Sequence, residues 1–415
     1  MTPTPASQKT SAYRRFETQL AGVIEQGVRR NMRIEIASAV LYGLFYAALL
    51  FLPAVLTRMG ASPAMISLYL SLSYLGHISS PLSLAFVRRI RPLNFTVAAW
   101  MIGRLSFMLA GLATSSLMLV ALGTVMWLLE FIPNPIYARI VQSIYPIRNR
   151  GRILSLVRFG MALTLLIFTP LAGWALDHLT YHIVFPIAAL FGVASALVFR
   201  AVRMDHEPAP AATAQRQSTA HALRTVLRNR PFMIFQLGVV LFGLAGLSVN
   251  PLFPDVQINR LGLSYTDIGL LGLAQSISWL AGYVLFGRII DQRGALFCTM
   301  LTFGLQAIAP FTYAFATTGW MLLPAFIGLG LVSAGADLGL TNSMLELAEE
   351  GRTQEYAVTQ SIVIGTRGVL APFIGVGLLA MGVSQSLVFV LAGVTALAGA
   401  FIVNRVRRKQ TTRVS

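Results

Sequence analysis

Several residues that could carry chemistry sit where a chain normally avoids them. Glu130, Asp337, Arg104, Arg158, Arg367 and His77 all interrupt long apolar runs. An ionisable group inside a bilayer costs several kcal/mol unless it is paired or wet, so each is a candidate functional residue. Glu130 lies in Trp127-Leu-Leu-Glu130-Phe-Ile-Pro133-Asn134-Pro135. Each proline lacks an N–H, which frees helix carbonyls beside the carboxylate. Such a polar spot could hold a proton or a substrate amine; a structural ion pair is the competing reading. Asp337 follows Ser333-Ala-Gly-Ala. Those small residues permit close helix approach, and the same two readings apply. Arg158 and Arg367 could receive an anionic group or snorkel to the membrane surface. His77 could relay protons or rest as a hydrogen-bonded core residue. Tyr42, Phe45, Tyr46, Asn250, Gln275 and Trp279 could line a pocket, although aromatic residues on apolar helices also simply pack. Of these, Glu130, Asp337, Arg367, Arg158, Asn250, Tyr46, Gln275 and Trp279 are the candidates for substrate or coupling-ion contact. The chain shows no metal-ligand spacing, no phosphate-cradling loop leading into Lys-Ser/Thr and no nucleophile–base motif. That pattern points away from an enzyme or an ATP-driven pump, and toward no cofactor.

The elements that must position these residues are membrane helices. Of 415 residues, 56% are hydrophobic and only 11% charged, and the mean hydropathy is +0.70. A soluble chain this apolar lacks the polar surface to cover its core. A span needs about 20 apolar residues. By that ruler, twelve spans fall near 34–57, 64–87, 94–114, 117–138, 154–176, 183–202, 232–254, 265–288, 295–315, 319–343, 357–381 and 386–404. The expected class is therefore an all-α polytopic membrane protein, with a retained first helix and no cleaved signal.

The net charge of +17 resides in alternate loops and both termini. Arg88, Arg89 and Arg91, Arg148, Arg150 and Arg152, and Arg405, Arg407 and Arg408 mark one side; the other holds little beyond Arg58 and Arg260. The bias places both termini in the cytoplasm of an inner (plasma) membrane, with lipid rather than nucleic acid as the partner of the basic residues. A monomer is expected. Lone Cys298, inside an apolar run, is read as packing. Residues 1–33 form a cytoplasmic segment in which Phe16, Leu20, Val23, Ile24 and Val28 recur at helical spacing; this is either an interfacial amphipathic helix or a solvated tail. Residues 203–231, rich in Ala, Pro and Gln, read as a disordered linker between bundles at 34–202 and 232–404, and 405–415 as a basic tail.

The two halves repeat. Leu52-Pro53 before Arg58-Met59-Gly60 matches Phe253-Pro254 before Arg260-Leu261-Gly262. Further on, Gly151-Arg152, Pro170 and Gly173 match Gly351-Arg352, Pro372 and Gly375 at a near-constant offset. Duplicated six-helix units are a transporter architecture. With these landmarks over residues 30–405, the chain resembles the major facilitator superfamily. That family's loop pattern, Gly-x-x-x-Asp-Arg-x-Gly-Arg, has a counterpart in Gly287-Arg-Ile-Ile-Asp291-Gln-Arg293-Gly294, with the arginine displaced by one place. The earlier copy, Ser83 to Arg91, keeps arginines but lacks the aspartate and both glycines. Gly160 followed by Thr169-Pro170-Leu-Ala-Gly173 partly matches the family's exporter pattern. The family's fourth-helix arginine pattern for proton coupling is missing.

The resemblance implies a secondary transporter that binds a small solute near the midplane, with protons as a candidate coupling ion. It implies a conformational latch at Asp291, Arg293, Gly287 and Gly294, against the plainer reading of a solvated turn. It also places Arg158 and Arg367 at cavity-facing positions, and sets Arg104 away from the cavity, as a structural arginine. A non-transporting sensor or intramembrane enzyme on the same scaffold is the alternative.

Overall fold

A computed structural model describes residues 5–79, 91–204, 226–349 and 352–414; within these, side chains are described except at 5–25, 76–79, 147–149, 151–152, 354 and 411–414. Every regular element among the described residues is helical. The first half comprises α1 (Pro5–Leu49), α2 (Leu52–Arg58), α3 (Pro63–Ser79), α4 (Pro92–Met108), α5 (Ser116–Phe131), α6 (Asn134–Ile144), α7 (Ile147–His178) and α8 (Tyr181–Phe199). The second comprises α9 (Arg230–Leu247), a broken stretch Asn250–Arg260, α10 (Tyr265–Arg293), α11 (Ala295–Leu305), α12 (Ile308–Phe315), α13 (Leu323–Leu347), α14 (Thr353–Ala380) and α15 (Gln385–Val414).

Eleven of the helical segments are long and apolar enough to cross a membrane, and Pro63–Leu75 is a shorter apolar one. The expected second span, 64–87, is described only to residue 79. The early copy of the loop pattern, apart from Arg91, and the linker residues 205–225 lie outside the described residues, as does the His77 side chain. The amphipathic reading of the N-terminus falls mostly on undescribed side chains; the backbone there is helical and continuous with the first span. Large apolar side chains such as Leu171, Ile187, Val284 and Phe401 stand exposed. On helices this apolar all round, those faces fit lipid rather than water. The protein is a multi-pass membrane protein.

Several expected spans are broken rather than continuous. The first bends at Leu50–Phe51 and restarts with Pro53 in the opening turn of α2, where proline's missing N–H costs nothing. The fourth breaks between α5 and α6 at Pro133. The seventh passes from a 3₁₀ turn into a π-turn at Val256–Arg260. The repeat seen in the sequence reappears in the backbone: Gly60 and Gly262, each two residues after its arginine, both hold positive φ, of 78° and 63°.

Helices of each half pack mainly on one another, and the halves meet along two seams, α7 with α10 and α3 with α14. Apolar clusters fill each half: Phe45, Phe51, Phe107 and Phe185 in the first, and Phe253, Tyr313 and Phe389 in the second. Both seams use small residues. A Cβ on Gly173 would lie 2.4 Å from the Tyr265 carbonyl oxygen, and one on Gly269 would lie 2.9 Å from Pro170 Cα. In the other seam, Gly368 sits against the Tyr74 ring, and the Ser67 and Ser71 hydroxyls donate to the Pro372 and Val369 carbonyls, each at 2.8 Å.

Candidate central cavity and the charges around it

A cavity of about 640 Å³ opens between the halves. Tyr46, Asn250, Gln275, Trp279 and Arg367, all singled out in the sequence, lie on its wall. So do Tyr74, Thr169, Gln257, Gln306 and Ser333, which were not singled out. Neutral polar residues in apolar runs give a weak sequence signal because they cost little when hydrogen-bonded. Gln257, for example, donates to the Tyr313 hydroxyl at 2.6 Å.

Arg367 is positioned by the helix it crosses. From α14 its guanidinium reaches α9 and donates to the Val239 carbonyl. It passes over Gly243, where a Cβ would lie 2.3 Å from Arg367 Cδ. Any larger residue at 243 would occupy the arginine's path. The guanidinium carbon lies 5.6 Å from the Phe242 ring centroid, a favourable cation–π distance. Its buried Nε has no hydrogen-bond partner among the described residues.

Arg104 and Glu130 make a contrasting site inside the first half. Arg104, 2% exposed, binds both carboxylate oxygens of Glu130, at 3.2 and 2.9 Å. It also donates to the Gly192 carbonyl at 2.9 Å and to the Ser195 hydroxyl at 3.2 Å. The Tyr42 ring lies 4.7 Å from its guanidinium carbon. The carbonyl of Glu130, next to the Pro133 break, accepts from the Trp100 indole at 3.3 Å. The polar spot expected beside Glu130 therefore exists, but side chains of the same half fill it. Glu130 is not on the cavity wall. Its geometry fits the structural ion pair rather than a proton or amine site.

A second carboxylate, Glu35, is buried in the first half. Glu35, 3% exposed, accepts hydrogen bonds from the Tyr137 and Tyr145 hydroxyls, the latter at 2.5 Å. Tyr145 lies between spans; burial first, and Glu35 second, hold its phenol well above the usual range. Glu35 falls at the edge of the first apolar run, where the sequence does not single it out.

Asp337 and Arg158 also lie off the cavity wall. They face each other across the two halves at 3.8 Å, with side chains 45% and 69% exposed. Tyr283 donates to Asp337 at 2.6 Å.

The opposite end is fastened more tightly. Asp177, near the end of α7, accepts from the Tyr265 and Thr266 backbone N–H groups at 3.0 and 2.7 Å and from the Thr266 hydroxyl at 2.7 Å. These groups open α10, which its own capping box of Ser264 and Asp267 also terminates. Carboxylates are favoured there because the first N–H groups of a helix lack partners. Arg58 completes the contact: it lies 3.4 Å from Asp177, donates to the Leu263 carbonyl at 3.0 Å, and stacks 3.7 Å over the Tyr265 ring. Arg260, its counterpart in the repeat, stays within its own half, on Gln385 and the Tyr313 carbonyl.

Among the described residues, no contact of the expected latch residues joins the halves. Asp291 is exposed and forms no ion pair among the described residues; Arg293 lies against Phe297. Nothing packs within 4 Å of a Cβ on Gly287, while Gly294 makes the turn into α11 at φ 83°.

Two helical halves meeting along paired seams around a central cavity fit the sequence comparison: residues 34–376 match the Major Facilitator Superfamily. The chain belongs to that superfamily. Among solved structures, it is similar to a variant of the nucleoside transporter NupG, with a TM-score of 0.74 and 13% identity over 91% of this chain and 99% of that one. It is also similar to a bacterial homologue of the human lysosomal transporter Spinster in an inward-facing, unoccupied conformation, with a TM-score of 0.61 and 13% identity over 93% and 97%. At that identity the likeness is one of fold. No curated protein matches the chain. Family and neighbours together point to a transporter rather than an enzyme.

Proposed function

We propose that this protein carries a small solute across the membrane by alternating access, with residues 34–202 and 232–404 rocking as two bodies about the central cavity. The observation that carries the reading is the asymmetry of the two ends around one cavity. At the Arg58 end a carboxylate of one half caps a helix of the other, and Gly173 and Gly269 let the two backbones approach closely. At the Arg158 end the halves face each other through a longer, exposed ion pair. With the termini cytoplasmic, as the arginine bias implies, this is an inward-facing state. Rocking that opens the Arg58 end must break the Asp177 contacts. Closure at the other end then brings Asp291 and Arg293 toward the first half, where a latch can form. Coupling through Glu130 is disfavoured by its Arg104 partner. Asp337, set between the halves with Tyr283 and Arg158, is the better-placed carboxylate for proton handling.

The test is flux of an isotope-labelled solute library into proteoliposomes holding the full chain, with and without a pH gradient. Saturable uptake above protein-free vesicles for at least one solute is expected. Absence of protein-dependent flux across the library would favour a sensor on this scaffold.

A further inference from the structure

The cavity wall is almost uniformly neutral. Arg367 is the single charged side chain among the residues that line it. Among the described residues, its charge has no acidic counterpart in an ion pair. The chain holds 15 acidic residues against 32 basic ones, and several of those acids have partners elsewhere. Glu130 is held by Arg104, Glu35 by two tyrosines, Asp337 by Tyr283 and Arg158, Asp177 by Arg58 and Thr266, and Asp255 by Asn259 and Gln385. Among the described residues no carboxylate pairs with Arg367. A desolvated cation without a counter-charge is costly, so a solute that supplies the charge gains what the protein lacks.

A second, independent observation concerns hydrogen bonding. Three residues of this wall each carry a buried polar atom with no partner among the described residues: Arg367 Nε, Trp279 Nε1 and Thr169 Oγ1. The first two can only donate, and the hydroxyl can donate as well. They come from both halves: Thr169 on α7, Trp279 on α10 and Arg367 on α14. A buried donor without a partner is costly until it meets an acceptor. A ligand rich in acceptors and poor in donors is the complement. The remaining wall is largely aromatic and aliphatic, with Tyr46, Phe51, Phe242 and Phe326 among its members.

We propose that the cavity takes an organic anion, with an acceptor-only oxyanion head on Arg367, Trp279 and Thr169, and an apolar, flat body against the aromatic wall. The proposal rests on the transporter reading. Gly243 is part of the site because it holds open the path by which the guanidinium reaches the cavity. A neutral isostere leaves the cation unmatched, and a cationic one meets like charge.

The test compares three probes of one shape and different charge: 2-naphthoate, 2-naphthamide and 2-naphthylmethylamine. Binding to the purified full chain is read by titration calorimetry, and flux by proteoliposome uptake. Naphthoate should bind about tenfold or more tighter than the amide, the size expected of hydrogen bonds to a charged group. Arg367→Gln should bring naphthoate down to the level of the amide, and Arg367→Lys should keep an intermediate preference. Thr169→Val removes a donor at nearly constant shape, and Trp279→Phe removes one with loss of a ring. Each should weaken naphthoate several-fold and the neutral amide less, which keeps the proposal testable where Arg367→Gln folds poorly. Equal binding of naphthoate and naphthamide, undiminished naphthoate binding by Arg367→Gln, or no binding of naphthoate at all would overturn the proposal. Protein-dependent flux of neutral or cationic solutes, equal in parent and Arg367→Gln, would overturn it while leaving the transporter reading intact. Failure of every solute to cross would instead remove that reading.

Discussion

Two of the arginines within the membrane helices, Arg104 and Arg367, are treated differently by the protein. Arg104 is surrounded: Glu130 takes it bidentately, and a carbonyl, a hydroxyl and an aromatic face occupy its remaining sides. Arg367 meets one carbonyl and one ring, and keeps a buried Nε with no partner among the described residues. The first lies within one half, where the helices keep fixed neighbours. The second faces the space between halves. A completed ion pair adds rigidity, and an incomplete one leaves interaction energy for a ligand. Two aspartates repeat the contrast at the two ends, since Asp177 binds the other half and Asp291 stands exposed.

The largest expected effect falls on the completed pair. Glu130→Gln leaves Arg104 buried without its charge partner, a change worth about 3–5 kcal/mol in comparable sites. Thermal unfolding in detergent should show a strongly lowered midpoint or loss of folded protein. The double change Arg104→Met with Glu130→Leu should recover much of that loss. A parental melting midpoint for Glu130→Gln would erase the distinction between the two arginines.

Arg367→Gln sharpens the same distinction from the other side. Removing a cation that has no carboxylate partner should leave the melting midpoint unchanged or raise it, even as anion binding is lost. A drop as large as that of Glu130→Gln would make Arg367 structural.

At the ends of the molecule the effects should be smaller. Asp177→Asn removes charge from the cap on α10 and weakens the closed end. A cysteine placed at cavity residue Ser276 should then react with an impermeant maleimide from the Arg58 side roughly three- to tenfold faster, the size expected for a partly exposed charged contact. An unchanged rate would show that packing at Gly173 and Gly269 closes that end alone. Asp291→Asn should move this conformation least, since Asp291 forms no ion pair among the described residues. Its effect should appear as altered transport kinetics with unchanged melting. Identical kinetics in mutant and parent would leave Asp291 an ordinary solvated turn residue.

Sequence alone was sufficient for the helical membrane class and the superfamily resemblance, because apolar run length and fixed-offset landmarks are local properties of the chain. The internal repeat was legible for the same reason: an arginine followed two residues later by glycine recurs because both turns demand a positive φ. The list of intramembrane charges was also legible, apart from Glu35 at a run's edge. Their roles were not. Arg104 and Glu130 stand 26 positions apart, on different helices, and no periodicity states that they meet. Whether a side chain on an apolar helix faces lipid, a neighbour or a cavity depends on how that helix is rotated against the others. With no hydrophobic difference between lipid and helix surface, the rotation is set by glycine contacts, helix breaks and polar pairs between distant segments. Only the assembled structure therefore separated the arginine that completes the first half from the one left facing the cavity.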